Sequence, residues 1–458
     1  MSALLRLRPI LLALPICVWL IAPVYAAPDA VSAVTVTDEA GRAIPARILV
    51  RMTDVPGYEL YEQLVEGPAQ LTSRDGPAHI AISHGPQFAI EERDVVIAKA
   101  TGQGLKVALK RLVDLQARGY LAGDNHMHST FSDGALPPTQ VAFACRAEGL
   151  RYAFLTDHDT VAGHAEWLAQ AREGFLPLPG EEVTSAGHIL ALGVRTVVLA
   201  KGTDAAAAKQ VFADIHAQGG TAIVAHPNSP LGGEGYTAWS VTDYDGLEIL
   251  NGFLPPYGGL FDFLQARMRW RGMLSEGKRI PVIGDSDNHD PLDSIVRAAL
   301  RDPEAAVKKQ PELRVLLNMP DRDKLIIPWG LKGLHVGTFR TCVYAPRADQ
   351  KVILDAVKAG HSFVTNGPLI LATVQGAPPG SQVHGDDFVE VKIEAVANRP
   401  LQHIDIVVDN KVAQSIRPTD PEHCTETVHL PATGAKWLLV EAYGPWPEFA
   451  TTNAWYLN

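Results

Sequence analysis

Cysteine is scarce in this chain, with four in 458 residues, and one of them (Cys17) falls in an N-terminal apolar stretch. Beyond it remain Cys145, Cys342 and Cys424, so at most one disulfide can form and bridges do not define the fold. Long apolar runs are scarcer still. The longest, Pro9–Ala22, falls short of the ~20 residues that span a bilayer, and nothing later matches it. Positive charge is in deficit too, with 40 Lys and Arg against 51 Asp and Glu and a net charge of −11. That balance argues against nucleic acid or an anionic membrane as the main partner. It leaves room for a small-molecule substrate, even a phosphorylated one, because metal ions bring their own positive charge. No GxSxG and no nucleophilic cysteine context is present, which argues against a protein nucleophile.

The N-terminus has the shape of a leader. Arg6 and Arg8 precede the apolar stretch, and Val24-Tyr25-Ala26 has a small-x-small cleavage pattern. Residues 1–26 are therefore expected to be a cleaved signal peptide, which puts the mature chain in the periplasm or outside the cell without stable membrane insertion. Cys17 lacks the small residues that precede a lipidated cysteine.

What remains is a soluble composition, 47% hydrophobic and 20% charged, long enough for two to three domains. Residues 27–115 read as an N-terminal β domain, because VSAVTVT and ARILVRM alternate around the turn AGRAIP. From 116 to 370 the pattern is strand, loop, helix, repeated: YAFLT, then a helix over TVAGHAEWLAQAREG, DAAAAKQVFADIHAQGG before TAIVA, and GLFDFLQARMRWRGML before IPVIG. That alternation predicts a parallel sheet with helices outside it. Residues 291–334 interrupt it and read as an insertion covering the site. The segment 371–458 returns to short strands, expected as a C-terminal β-sandwich.

The chemistry sits just after the strand-like runs. His126 and His128 form an HxH, and residues two apart on an extended chain point to one side. Asp133 (FSDG), His158 (LTDHD), Glu182 (PGEEVT), His188 (GHIL), His226 (VAHPN), Asp287 and His289 (GDSDNHD) follow. Six imidazoles and three carboxylates exceed the three or four ligands of one tetrahedral ion, so more than one metal is expected. Ions a few ångströms apart can share a water and lower its pKa, which is hydrolytic chemistry. Neighbours compete for three positions: Glu181 for Glu182, Asp285 for Asp287 and Asp159 for Asp133. Asp157 reads as an acid that orients an imidazole. Arg340 and Lys332 are candidates to neutralise a substrate oxyanion, and Asn251 to hydrogen-bond it. Asn366, His164, His216, His335 and His361 read as structural.

In that order, HxH, SDG, TDH, G-x-E, AHP and S-D-x-H resemble the PHP (polymerase and histidinol phosphatase) family over residues 118–370, most closely its exported CehA/McbA-type metallohydrolases. The resemblance implies a distorted (β/α)7 barrel, here flanked by the two small β domains, with two to three divalent ions (Zn, Mn or Fe). It implies His126, His128 and Asp287 on a first ion, with Glu182 bridging to a second held by His188 and His226. Asp133, His158 and His289 would take a third. The expected activity is phosphoester hydrolysis, with ester, carbamate or amide hydrolysis as the alternative and a non-catalytic metal-containing binding protein as a second. Glu182, Asp287, His226 and Arg340 form the expected catalytic set.

Overall fold

The computed structural model describes residues 29–55, 59–229, 233–252, 259–289, 304–305, 308, 335–384, 387–445 and 448–458. The expected leader, Lys332 and the 291–334 insertion, apart from 304, 305 and 308, lie outside them. Seven N-terminal strands, β1 (Asp29–Thr37), β2 (Ala46–Met52), β3 (Leu60–Val65), β4 (Ala69–Gln70), β5 (Gly76–Ser83), β6 (Glu91–Ile97) and β7 (Gln103–Ala108), form one sheet. The alternation read from the sequence explains its core. Val34, Val36, Ile48, Val50, Ile80 and Ile82 are inward-facing and almost fully buried.

The α/β region contains β8 (Tyr120–Asp124), β9 (Tyr152–Leu155), β10 (Leu176–Pro179), β11 (Glu182–Ser185), β12 (Gly187–Leu192), β13 (Thr221–Val224), β14 (Gly246–Asn251), β15 (Val282–Asp285), β16 (Arg340–Tyr344) and β17 (Ser362–Thr365). The helices are α1 (Pro138–Ala147), α2 (His164–Leu168), α3 (Ala205–Ala217), α4 (Gly259–Ser275) and α5 (Gln350–Ala359). Two starts follow from capping. The Asp204 carboxylate accepts from Ala207 N and that of Asp349 from Val352 N. Gly360, at φ 68°, ends α5 in the left-handed conformation that glycine adopts without penalty. The helix expected over TVAGHAEWLAQAREG is only His164–Leu168. Its flanks are turns, and the Trp167 indole and His164 ring spend their N–H groups on the carbonyls of Leu178 and Gly180.

The described residues are mixed α/β and strand-rich, and they do not show a (β/α)7 barrel. The strands divide between two sheets, one running β10-β9-β8-β16-β17 and the other β11-β12-β13-β14-β15. Parallel pairing holds for β8/β9, β9/β10, β13/β14 and β14/β15, whereas β8/β16, β16/β17, β11/β12 and β12/β13 are antiparallel. Several links join the sheets at both edges. A parallel bridge pairs His158 with Glu182, and the Thr341 hydroxyl both accepts from Gly284 N and donates to Gly284 O. Leu121, Phe154, Leu178, Leu190, Ile223, Ile283 and Val343, drawn from both sheets, form a common core with α5.

Further strands extend this frame: β18 (Leu369–Val374), β19 (Gln382–Val383), β20 (Phe388–Val396), β21 (His403–Val408), β22 (Lys411–Ile416), β23 (His423–Pro431), β24 (Trp437–Tyr443), β25 (Phe449–Thr452) and β26 (Trp455–Leu457). The layer β18-β20-β23 shares a core with β21 and β24, and β25 pairs with β17, so the first α/β sheet runs on into the C-terminal region. Asp409 and Asn410, both at positive φ, make the β21–β22 turn. Cys145, Cys342 and Cys424 are free and buried. No helix of the described residues is long and apolar enough to cross a membrane.

Candidate metal centre

Strand ends, or the loops that follow them, place the ligand-type side chains. The HMH segment leaves β8 extended, so Met127 turns into the core while His126 and His128 face the opposite way, both fully buried. Met127 bridges to Asn288, and His128 N donates to Asn288 O, which zips this loop to the one carrying Asp287 and His289. Asp133 sits in a turn closed by Gly134 N donating to Ser129 O; a Cβ on Gly134 would lie 2.5 Å from the His128 carbonyl carbon. His158 follows β9, Glu182 opens β11, His188 lies in β12 and His226 follows β13. His226 and Asp287 have φ of 22° and 48°, a strained conformation for residues with a side chain.

The nine converge. Glu182 Oε2 lies 3.0 Å from His126 Nε2, 3.2 Å from His128 Nε2 and 3.3 Å from His158 Nδ1. Its Oε1 lies 2.8 Å from His188 Nδ1 and 3.1 Å from His226 Nε2. Asp287 Oδ1 is 3.1 Å from His128 Nε2 and 3.2 Å from His126 Nε2. Asp133 is 3.3 Å from His289 Nε2 and 3.6 Å from His158 Nε2. Donor atoms each 2.0–2.1 Å from a tetrahedral ion stand roughly 3.4 Å apart, so these separations fit shared coordination. Three groups emerge: His126, His128, Glu182 and Asp287; His158, Glu182 and His188; and His128, Asp133, His158 and His289. The first and last match the implied sets, except that His128 also joins the third group. His158 approaches the second group, where His188 and His226 were expected.

Hydrogen bonding leaves the cluster incomplete. His126 Nε2, His128 Nδ1, His158 Nδ1, Glu182 Oε2, His188 Nδ1 and His226 Nδ1 are buried atoms without a hydrogen-bond partner. His128 Nε2 meets Asp287 Oδ1 and His226 Nε2 meets Glu182 Oε1 with hydrogen-bond geometry, both at 3.1 Å, but the atoms left over crowd against one another as metal ligands do. Electrostatics agree. Burial works against charge on His128 and His226, yet Glu182 and Asp287 outweigh it and push both up to about 9. Burial likewise opposes ionisation of Glu182 and Asp287, and the imidazoles around them, His126 foremost, hold both carboxyls well down. The centre is built to stabilise positive charge.

A tenth residue, Glu248, escaped the sequence reading. Its Oε1 lies 3.3 Å from His126 Nδ1, and its Oε2 accepts from His226 N at 2.8 Å and Asn251 Nδ2 at 2.9 Å. Asn251 Nδ2 also reaches Asp287 Oδ2 at 3.3 Å. Glu248 thus fixes the His126 tautomer so that Nε2 faces Glu182. Its signal was available, as the only charged side chain in the fully buried strand GLEILN.

The competing acids lie elsewhere. Glu181 accepts from Val198 N, and burial pushes it up to about 7; Asp159 accepts from Thr184 N, and Asp285 from Asn125 N and Nδ2. Asp157 hydrogen-bonds no imidazole among the described residues. It accepts from Ser129 N, Ser129 Oγ and Ser132 Oγ, and so shapes the turn that carries Asp133. Arg340 corrects the expectation most clearly. It is buried with its guanidinium on Glu148, Nη1 donating to the Glu148 carbonyl at 3.1 Å and Nη2 3.5 Å from Oε2, away from the nine. Asn366 Oδ1 accepts from Phe449 N, His361 Nδ1 lies 2.7 Å from Pro379 O, His216 pairs with Asp245 and His335 lies near Glu62.

No family model matches the chain. Local matches do exist. A 5'-3' exoribonuclease of Haemophilus influenzae is 41% identical over 63 residues, 14% of this chain and 23% of that protein. A 3',5'-nucleoside bisphosphate phosphatase of Chromobacterium violaceum is 43% identical over 77 residues, 16% of this chain and 27% of its own length. The matches therefore span about a quarter of these curated relatives. Among solved structures, a two-domain protein containing a predicted PHP-like metal-dependent phosphoesterase from Bacteroides vulgatus aligns over 70% of this chain and 90% of its own, at 19% identity and a TM-score of 0.40.

Proposed function

We propose that the chain is a metal-dependent hydrolase of the PHP type, most consistent with phosphoester cleavage. The observation that carries this reading is the convergence of nine ligand-type side chains, all but Asp133 buried or half-buried, several of which keep buried atoms without a hydrogen-bond partner. Local identity with the Chromobacterium bisphosphate phosphatase supports the phosphoester class. Glu182 would join the groups, His126, His128 and Asp287 would hold one side, and His188 and His226 the other. Asp133, His158 and His289 would complete the more exposed third group. When bound, divalent ions in such a cluster supply an activated water and polarise the group it attacks. Glu248 and Asn251 keep His126, His226 and Asp287 aimed inward. The leader-like residues 1–26 support export to the periplasm or beyond the cell.

The test is hydrolysis of nitrophenyl phosphomonoester, nitrophenyl phosphodiester, nitrophenyl acetate and naphthyl carbamate, with Mn and Zn supplied separately. Turnover of a phosphoester that chelation abolishes and metal restores is expected. Turnover confined to the acetate or carbamate would move the reading to CehA/McbA-type carboxyl hydrolysis, and no turnover with either metal would remove it.

A further inference from the structure

A cavity of about 230 Å³ lies where the N-terminal sheet meets α1, β9 and the turn before β10. Four arginines line it: Arg111 after β7, Arg146 in the last turn of α1, Arg151 just before β9 and Arg172 in that turn. Two are already matched. Arg146 Nη1 donates to Glu66 at 2.7 Å, and Arg111 Nη1 lies 3.1 Å from Asp114. Arg151 and Arg172 have no carboxylate within ion-pair distance among the described residues, and Arg151 Nε is buried without a hydrogen-bond partner. Gly174, at φ +86°, lets the chain pass directly against the Arg151 guanidinium, since a Cβ there would lie 2.9 Å from Nη1. Burial pulls the Arg151 guanidinium down; Asp114 offsets part of this, neighbouring Arg111 adds to it, and Glu173, also in the lining, offsets a little more. A half-buried cation whose counter-charges stand beyond ion-pair distance is costly, and a guanidinium is best relieved by the two oxygens of a phosphate or carboxylate.

We propose that this cavity is a second binding site, separate from the metal centre, for a small oxyanion held by Arg151 and Arg172. The cavity is smaller than clefts for drug-sized ligands, about 300–1,000 Å³, so the ligand is an inorganic anion or a small acid. Its walls come from two units. Phe88, with Arg111 stacked 4.9 Å above its ring, belongs to the N-terminal side, while Arg146 and Arg151 flank the elements that lead from Asp133 and to His158. A bound anion therefore ties the N-terminal sheet to the metal-bearing unit and raises the unfolding midpoint.

The test uses the full, metal-loaded chain. Crystals soaked in selenate (a tetrahedral anion) are expected to give an anomalous selenium peak within hydrogen-bond distance of Arg151, distinct from any at the metal centre. Malonate serves as the carboxylate arm, and the tighter of the two anions in calorimetric titration identifies the class. Binding is expected to weaken about tenfold in R151A and in R172A, and to stay unchanged in R347A, a surface arginine outside the cavity. Arg172 is exposed on its turn, so R172A keeps the fold even where R151A does not. The proposal is overturned if neither anion yields density in the cavity, or if R172A titrates as the wild-type protein does.

Discussion

Two of the buried charged clusters among the described residues are built on opposite terms. Around Glu148, each charge meets its opposite. Arg47 pairs with Glu62 and with Glu148 at 2.7 Å, and Arg340 also lies on Glu148. Two guanidiniums face two carboxylates, and the cluster fastens the N-terminal sheet to α1 and β16. Around Glu182, three ligand carboxylates and Glu248 face six imidazoles that are neutral when they act as ligands, which leaves a deficit of positive charge. Burial makes such a deficit costly unless metal ions, or protons on the imidazoles, fill it. Closed charge pairs mark a structural joint, and open ones mark a binding centre.

The comparison is broken most severely at Glu182. E182Q removes a charge that touches five imidazoles, and hydrolysis is expected to fall by about 10²–10³-fold with loss of bound metal, while circular dichroism stays native. Global unfolding of that variant would make the cluster structural instead. At the joint the outcome should invert. R47M leaves Glu62 and Glu148 short of a buried partner and is expected to cost about 3–5 kcal/mol in urea unfolding, with metal content per folded chain unchanged. Loss of metal in R47M at full folding would erase the distinction between the two regions.

E248Q is a finer cut. It should weaken metal affinity by about 10–100-fold without abolishing binding, because Glu248 aims His126 rather than binding metal. The pH response sharpens the contrast further. In the metal-free protein, His128 and His226 titrate near 9, above their ordinary values. Their stabilising contribution is then complete below about pH 6.5 and is lost as pH rises through 9. Metal needs the same imidazoles neutral, so affinity should rise across that window, with protons released on binding in calorimetry. A flat affinity between pH 6.5 and 9 would contradict these assignments. The smallest effect belongs to Asp133, whose side chain is 56% exposed. D133N should lose only the third group's metal and retain the rest.

Much of the centre was legible because its ligands follow strands closely, and a strand's end fixes where the next side chain lands. HMH could be read from period-two geometry alone. Glu248 could not be found as a ligand-type loop residue, since it lies inside a strand. Arg340 misled because an arginine downstream of the ligands looks the same in sequence whether it meets substrate or a buried glutamate. Strand direction was illegible for a related reason. Parallel and antiparallel buried strands share the same apolar signature, so β11–β12 and β16–β17 gave no warning of their direction.

Elemental analysis of the purified chain, before and after refilling with Mn or Zn, tests the central claim most directly. At least two ions per chain, lost on chelation and not retained by E182Q, is the expected result. A wild-type protein that refills with none would contradict the account.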